Sequence, residues 1–290
     1  MSKNFKIGFI GQGWIGKNYA DDFEKRGYEV VRYSQEEPHI KNKSKIKDCD
    51  IVFIAVPTPT TPEGFDLSIV KDVIKLVGKG KVAVLKSTIL PGSTELIQKE
   101  NPDIYVMHSP EFLTESTAAR DVASPHHNII GLPVDNEVYR SKAEEVLSVL
   151  PKCASVKICP AKEAELFKYA RNCFFYTKVI FMNILYDLSA ELGCDWKVFR
   201  DLMAVDPWIG PMHIDPVHKS GRGGGGHCFI KDFAALVELY KEKMPKDEKG
   251  LAVLLANEEK NIELLVSSKK DLDLLEGVYG KRALSKTKRK

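Results

Sequence analysis

Apolar residues in the first half of the chain fall into short runs separated by segments with helical spacing. The runs predict strands at residues 5–10, 28–33, 50–56, 81–86, 104–107 and 128–132. The helical spacing predicts helices at residues 14–25, 67–77 and 93–99. Strands that alternate with helices are typical of a parallel, doubly wound sheet, so we expect an α/β, Rossmann-like domain here.

The pattern changes after residue 135, where helical spacing takes over. The helices that it predicts cover residues 136–150, 161–192, 196–203, 229–241 and 251–266. The long helix at 161–192 has few breakers and many apolar positions, so we expect it to be central and largely buried. The predicted domains are an α/β domain at 1–159, an all-α middle domain at 160–275, and a basic, disordered tail at 276–290.

A glycine motif follows the first predicted strand and opens the first predicted helix. It reads Gly11-Gln12-Gly13-Trp14-Ile15-Gly16. In a dinucleotide-binding turn the first glycine permits the turn, the second admits the pyrophosphate, and the third lets the helix pack on the strand. An acidic residue usually ends the second strand and binds the ribose, but Arg32 and Ser34 occupy that region here. The glycine motif therefore predicts a dinucleotide cofactor, which we expect to be NAD, and the missing acid leaves NADP open.

A second glycine-rich segment ends at a cysteine. Five of the six positions at 221–226 are glycine, and Cys228 and Asp232 follow. Helical spacing begins at this point, so Cys228 is expected at a helix N-terminus, where the helix dipole favours the thiolate. Asp232 lies one turn further on the same face. On local sequence alone, Cys228 is either a small buried residue or a nucleophile.

Candidate ligand-binding residues also lie where other strands end, the edge at which open α/β sheets bind ligands. The positions are Val56, Pro57 and Thr58 after the third strand, Ser87 and Thr88 after the fourth, and Glu111, Phe112, Leu113 and Glu115 after the fifth. Ordinary loop chemistry explains each of them equally well taken singly. On the long helix, Lys168 and Asn172 share a face, which is typical either of a salt-bridged surface or of an oxyanion site.

Composition excludes several functional classes. The chain is 43% hydrophobic and 29% charged, as in globular proteins, with no apolar run that could span a bilayer and no targeting segment, so a cytoplasmic protein without membrane contact is expected. Six cysteines and seven histidines show no metal-ligand spacing, so no metal is expected. Without the six basic residues of 281–290, the net charge of +3 becomes −3, which disfavours nucleic-acid binding.

In this order, the motifs resemble the UDP-glucose/GDP-mannose dehydrogenase family over residues 6–265. The resemblance is most specific at residues 223–232 and good at Pro57-Thr58-Pro59, Ser87-Thr88, Pro110-Glu111-Phe112-Leu113 and Lys168-Tyr169-Ala170-Arg171-Asn172. It implies a Rossmann domain, a helical middle domain that forms a homodimer through the helix at 161–192, and a further nucleotide-binding domain. It also implies oxidation of a nucleotide-sugar primary alcohol to the carboxylate with two NAD⁺.

The resemblance further implies a role for each matching residue. Cys228 would capture the aldehyde, Lys168 and Asn172 would stabilise the oxyanion, Asp232 and Thr88 would handle protons through water, and Glu115 would assist thioester hydrolysis. The cofactor would contact Gly11, Gly13, Trp14, Ile15, Gly16, Ser34, Val56, Pro57, Thr58, Thr88 and Lys231. The substrate would contact Glu111, Phe112, Leu113, Lys168, Asn172, Gly223 and Gly225.

Several positions depart from the family pattern. His127 and Trp208 stand where arginine is usual, Gly224 and Ile230 replace phenylalanine and proline, and the chain is expected to lack the third domain. Two alternatives to nucleotide-sugar oxidation therefore stay open. One is the same chemistry on a smaller alcohol such as a sugar phosphate or hydroxy acid, and the other is a cofactor-binding regulator without catalysis.

Overall fold

The computed structural model describes residues 5–285 and contains eleven strands and eleven α-helices over that range. The strands are β1 (Ile7–Ile10), β2 (Val30–Tyr33), β3 (Ile51–Ile54), β4 (Thr60–Thr61), β5 (Gly64–Phe65), β6 (Val82–Leu85), β7 (Tyr105–His108), β8 (His127–Leu132), β9 (Ser155–Pro160), β10 (Val217–His218) and β11 (Gly221–Arg222).

The α-helices are α1 (Trp14–Lys25), α2 (Ser68–Val73), α3 (Ser93–Glu100), α4 (Ala118–Ala123), α5 (Glu137–Val149), α6 (Ala161–Glu191), α7 (Trp196–Val205), α8 (Gly226–Lys243), α9 (Glu248–Ser267), α10 (Leu272–Tyr279) and α11 (Lys281–Ser285). Short 3₁₀ helices cover Ile40–Asp48, Ile74–Leu76 and Glu115–Thr117. None of the helices between residues 5 and 285 is long and apolar enough to cross a membrane.

The chain divides into two compact units, of which the first comprises residues 1–58 and 67–168. Its sheet has the strand order β2-β1-β3-β6-β7-β8-β9. Every adjacent pair is parallel except β7 and β8, so the expected α/β, doubly wound fold is confirmed with one antiparallel step. The order reverses between β1 and β3, and ligands of such sheets bind where the order reverses, at the carboxyl ends of the strands.

Burial on both faces explains why the central strands read as unbroken apolar runs. All four residues of β1, β3 and β6 are buried. Phe9 stacks on Phe53 with ring centroids 5.1 Å apart, and Phe23 of α1 lies 5.3 Å from each of these rings. Helices cover both faces of a mostly parallel sheet, so neither face of these strands needs polar residues.

The second unit comprises residues 59–66 and 169–290 and is mainly helical. The tail at 276–290 was expected to be disordered, yet α10 and α11 are helical as far as Ser285. Leu275 and Ala283 are buried in an apolar cluster with Ile230 of α8 and Leu265 of α9, so this segment packs against those two helices. Residues 286–290 lie outside the described residues.

The long helix α6 was expected to be largely buried, and it is so on one side only. Tyr169 and Tyr176 are among the most buried side chains of the protein. On another side, Phe174, Phe181 and Leu188 follow one another at intervals of seven residues and are 65%, 53% and 49% exposed. The periodicity therefore predicted an apolar helix correctly but could not show which apolar positions the fold covers.

Candidate active site

The glycine motif forms a tight turn between β1 and α1. Gly11 has φ +90°, and a Cβ there would lie 2.2 Å from the Ala55 carbonyl oxygen. A Cβ at Gly16 would lie 1.9 Å from the Gly11 carbonyl oxygen, whereas Gly13 has no heavy atom within 4 Å of its Cβ position. Two glycines thus allow close packing, and Gly13 leaves open space at the helix N-terminus. The arrangement fits the pyrophosphate of a dinucleotide.

Arg32 of β2 is held by two carboxylates of α1. Its Nε and Nη2 donate to Glu24 at 2.9 and 2.7 Å, and Nη2 also lies 2.7 Å from Asp21. Ser34, which occupies the usual position of the ribose-binding acid, donates instead to the Glu36 carbonyl at 3.0 Å. An open cleft at this end of β2 is lined by Gln12, Lys17, Arg32, Ser34, Glu36, Glu37, Pro38 and His39.

The loops that follow β3 and β6 are tied together by side-chain hydrogen bonds. Ser87 Oγ donates to the Val56 carbonyl at 2.7 Å and accepts from the Val56 N–H at 3.0 Å. Thr58 Oγ1 donates to the Thr88 carbonyl at 2.7 Å. The two polar loops that the sequence singled out after these strands therefore meet at one edge of the sheet.

Lys168 and Glu111 form a buried ion pair in the first unit. Lys168 Nζ lies 3.0 Å from Glu111 Oε1 and donates to the Glu111 carbonyl at 2.7 Å, while the two side chains are 5% and 7% exposed. Burial acts most strongly on the pKa of Glu111 and would raise it. The Lys168 ammonium, the Leu113 N–H and the Lys86 ammonium together lower that pKa below its ordinary value. Glu111 is therefore a carboxylate at neutral pH.

A second lysine that the sequence analysis missed lies in the same buried cluster. Lys86 directly follows β6, is 3% exposed, and lies 3.0 Å from Ser109 Oγ and 3.3 Å from the Tyr19 hydroxyl. Burial is the main cause that lowers the pKa of Lys86 to about 7; Glu111 opposes this shift and Lys168 adds to it. The signal in the sequence that could have indicated this residue is its position directly after the apolar run of β6.

His108, the last residue of β7, is part of this cluster. It is fully buried, and neither ring nitrogen has a hydrogen-bond partner among the described residues. Burial, followed by the charges of Lys86 and Lys168, lowers the pKa of His108 to about 3. The imidazole is therefore neutral at ordinary pH, as expected beside two buried cationic groups.

The loop that contains Glu111 also carries the other predicted substrate residues. Leu113 N–H donates to Glu111 Oε2 at 2.8 Å, which fixes the loop backbone to the buried carboxylate. The Phe112 ring lies 4.5 Å from the His127 ring and 5.5 Å from the Phe167 ring. Glu115 is exposed and begins a short 3₁₀ helix. Glu111 and Glu115 thus have very different environments although they are four residues apart.

Asn172 and Asp232 form a buried pair in the second unit. Asn172 Nδ2 donates to Asp232 Oδ2 at 2.7 Å, and Lys231 Nζ lies 2.6 Å from Asp232 Oδ1. Asp232 is 1% exposed. The sequence grouped Lys168 with Asn172 because they share a helix face, but each has a separate carboxylate partner, Glu111 and Asp232 respectively. Both carboxylates were predicted site residues.

Cys228 is the third residue of α8 and is exposed. The N-cap residue Gly225 makes no side-chain capping bond. Burial raises the pKa of Cys49 to about 11 and raises that of Cys173 further, so neither of these thiols ionises readily. Cys228 combines exposure with the N-terminal turn of an 18-residue helix, the position that favours a thiolate.

The helical spacing after the glycine-rich segment predicted that Cys228 lies at a helix N-terminus, and the structure confirms this position. Trp208, at a position where the family usually has arginine, is 93% exposed. Within residues 5–285 there is no group of histidine, cysteine, aspartate and glutamate side chains that could hold a metal ion.

Two family models match the chain. The model for the NAD binding domain of the UDP-glucose/GDP-mannose dehydrogenase family matches residues 37–149, and the model for its central domain matches residues 162–259. The chain is 32% identical to the UDP-glucose 6-dehydrogenase TuaD of Bacillus subtilis, in an alignment that covers 90% of this chain and 64% of that protein. The chain therefore spans slightly less than two thirds of this relative's length.

Solved structures agree with these matches. A UDP-glucose dehydrogenase from Pyrobaculum islandicum superposes with a TM-score of 0.76 at 25% identity, over 95% of this chain and 71% of that one. A 3-hydroxyisobutyrate dehydrogenase from Mycobacterium tuberculosis shares the fold, with a TM-score of 0.67 at 14% identity over 97% of this chain and 98% of that one. By its two matching domains and its fold, the chain belongs to the UDP-glucose/GDP-mannose dehydrogenase family.

Proposed function

We propose that this chain is an NAD-dependent dehydrogenase that oxidises the primary alcohol of a nucleotide sugar to a carboxylate. The observation that carries the proposal is an exposed thiol in the N-terminal turn of α8, one turn before a buried carboxylate that is hydrogen-bonded to an amide. Such a set suits covalent capture of an aldehyde. The match to TuaD, itself a UDP-glucose 6-dehydrogenase, supports the substrate class.

Bound NAD⁺ accepts one hydride, so two molecules account for the four electrons that separate an alcohol from a carboxylate. In the proposed reaction the first oxidation yields an aldehyde, and the Cys228 thiolate adds to its carbonyl carbon to form a thiohemiacetal. The second oxidation converts this to a thioester, and water then releases the carboxylate and the free thiol. The intermediate stays bound to the protein between the two oxidations, which prevents loss of the aldehyde.

The remaining predicted residues have proposed roles that suit their chemistry. Lys168 and Asn172 donate to the oxyanion of the tetrahedral intermediates. Asp232 and Thr88 relay protons through a water molecule, and Glu115 assists thioester hydrolysis. The exposure of Glu115 leaves its carboxylate accessible to water, whereas the ion pair with Lys168 engages Glu111. We therefore propose that Glu111 orients Lys168 and does not act as the base.

The turn at Gly11–Gly16 would hold the pyrophosphate, and we propose that NAD is preferred over NADP. Although Arg32 lies at the end of β2, where an arginine can bind a 2′-phosphate, its guanidinium already pairs with Asp21 and Glu24. A 2′-phosphate would have to approach two carboxylates to reach it. Like charges at such distances disfavour binding, so Arg32 does not create NADP specificity.

The test of this function is stoichiometry. We expect two NADH per nucleotide sugar from a panel of UDP- and GDP-sugars, and we expect Cys228→Ser to lose the complete oxidation while Cys194→Ser, a change at another exposed cysteine, retains it. Absence of turnover across the panel with either cofactor would contradict the proposal. Full activity on a sugar phosphate or hydroxy acid, without competition by UDP, would shift it to a smaller substrate.

We also propose that the protein is a homodimer through α6. Phe174, Phe181 and Leu188 are exposed at heptad spacing on a 31-residue helix, with Ile184 between two of them and 45% exposed. This is the pattern by which two helices pair, and an identical helix presents the same stripe. Light scattering should give a dimer, with Phe181→Glu monomeric and Glu163→Gln unchanged. A monomeric wild-type protein would contradict the proposal.

A further inference from the structure

The glycine-rich loop before Cys228 is bound along its length by the turn between α9 and α10. This turn comprises residues 268–271 and lies about forty residues further along the chain. It makes hydrogen bonds to both ends of the loop. They run from Arg222 N to Ser268 Oγ at 3.0 Å, from Lys270 Nζ to the Gly221 and Gly223 carbonyls at 3.4 and 2.9 Å, and from Gly226 N to Asp271 Oδ2 at 2.7 Å.

The absence of side chains in the loop is explained by this packing. A Cβ at Gly225 would lie 2.0 Å from Asp271 Oδ2 and 2.9 Å from Lys270 Cε. A Cβ at Gly221 would lie 2.5 Å from Ser268 Oγ. The sequence suggested that glycines here admit either a sharp turn or a close approach. At these two positions the close approach is made by the protein's own turn.

Asn261 of α9 fixes the middle of the loop. Its Oδ1 accepts from the Gly224 N–H at 2.7 Å and its Nδ2 donates to the Gly224 carbonyl at 2.9 Å. Asn261 is 1% exposed. The Asn261 amide thus satisfies both backbone polar groups of Gly224. The loop can move little at this residue, since any shift would leave buried groups without partners.

Asp271 acts at the start of α8 itself. Gly226 is the first residue of this helix, and the N-cap Gly225 has no side chain to bind the exposed N–H groups. The Asp271 carboxylate binds the Gly226 N–H and so caps the helix from 45 residues away. It also adds a negative charge to a helix end whose partial positive charge favours a thiolate at Cys228.

We propose that Asp271, supported by Asn261 and Lys270, is a positioning residue that holds the N-terminal turn of α8 and restrains ionisation of the Cys228 thiol. The proposal rests on the proposed role of Cys228 as nucleophile. The other charged or titratable groups near this thiol along α8 and in the turn include His227, Lys231, Asp232 and Lys270, and the variants below leave all four unchanged.

The test measures the rate of iodoacetamide alkylation of Cys228 against pH, by mass spectrometry of the full-length protein. Asp271→Asn keeps an oxygen that accepts the Gly226 hydrogen bond but removes the charge. We expect its Cys228 profile to move to lower pH, with a rate at pH 7 about two to five times that of the wild type. Asp273→Asn, an exposed aspartate two residues further on, is the matched control and should follow the wild type.

Equal profiles for Asp271→Asn and Asp273→Asn would overturn the proposal, as would a shift to higher pH. Exposed Cys194 serves as the reference thiol within each sample and should react alike in all three proteins. Alkylation needs neither cofactor nor substrate. A protein with no turnover but with the expected shift would therefore refute the proposed function and retain the role of Asp271.

Discussion

Replacement of Lys86 by methionine should change how the stability of the protein depends on pH. Methionine keeps an unbranched side chain in the buried site and removes the ammonium. The pKa of Lys86 is lowered from its ordinary value of 10.5 to about 7, first by burial and then by Lys168, against the attraction of Glu111. An unfolded chain would keep this proton up to about pH 10, so unfolding takes up a proton between pH 7 and pH 10.5.

The sign and size of the effect follow from this proton uptake. Because the unfolded state binds more protons in that window, the free energy of unfolding rises with pH. Integration of the proton uptake from pH 7 to pH 9 shows that this titration raises the free energy of unfolding by about 2 kcal/mol. Lys86→Met lacks this contribution. Its free energy of unfolding, relative to the wild type, should therefore be about 2 kcal/mol lower at pH 9 than at pH 7.

Urea denaturation followed by circular dichroism at pH 7, 8 and 9 measures this difference, since the other titrating groups are common to both proteins. Lys99→Met, at an exposed lysine of α3, is the control and should run parallel to the wild type. A difference between wild type and Lys86→Met that stays constant across this range would refute the reasoning. It would show that Lys86 carries the same charge in the folded and unfolded states.

Two further predictions concern the buried carboxylate and the cofactor cleft. Glu111→Gln leaves the buried Lys168 ammonium without its carboxylate and should lower the free energy of unfolding by about 3 kcal/mol, whereas Glu115→Gln, at an exposed position, should change it by less than about 0.5 kcal/mol in the same urea assay. The double variant Asp21→Asn, Glu24→Gln releases Arg32 from its two carboxylates and should raise NADP⁺ affinity by about tenfold in calorimetry. Equal losses for the two glutamate variants, or unchanged NADP⁺ affinity, would contradict these accounts.

Most elements of the fold were predictable from local sequence, and the exceptions have physical causes. The strand β9 (Ser155–Pro160) was missed because its residues are exposed or half-buried, so no apolar run marks it. β9 is the last strand of the sheet, and edge strands commonly carry charged residues, as at Lys157. The helices α10 and α11 were hidden by the basic residues near them, although their apolar side has a core to pack against.

Local sequence was enough to predict the alternation of strands and helices, the dinucleotide turn at Gly11–Gly16 and the start of a helix at Cys228. These features depend on residues that are close together in sequence, because hydrophobic periodicity and the backbone freedom of glycine are local properties of the chain. By contrast, the pairing of Lys168 with Glu111, 57 residues away, and of Asn172 with Asp232, 60 residues away, depends on the folded chain. The same holds for the loop before Cys228, which is bound by a turn 45 residues further on, because packing between distant segments selects such partners.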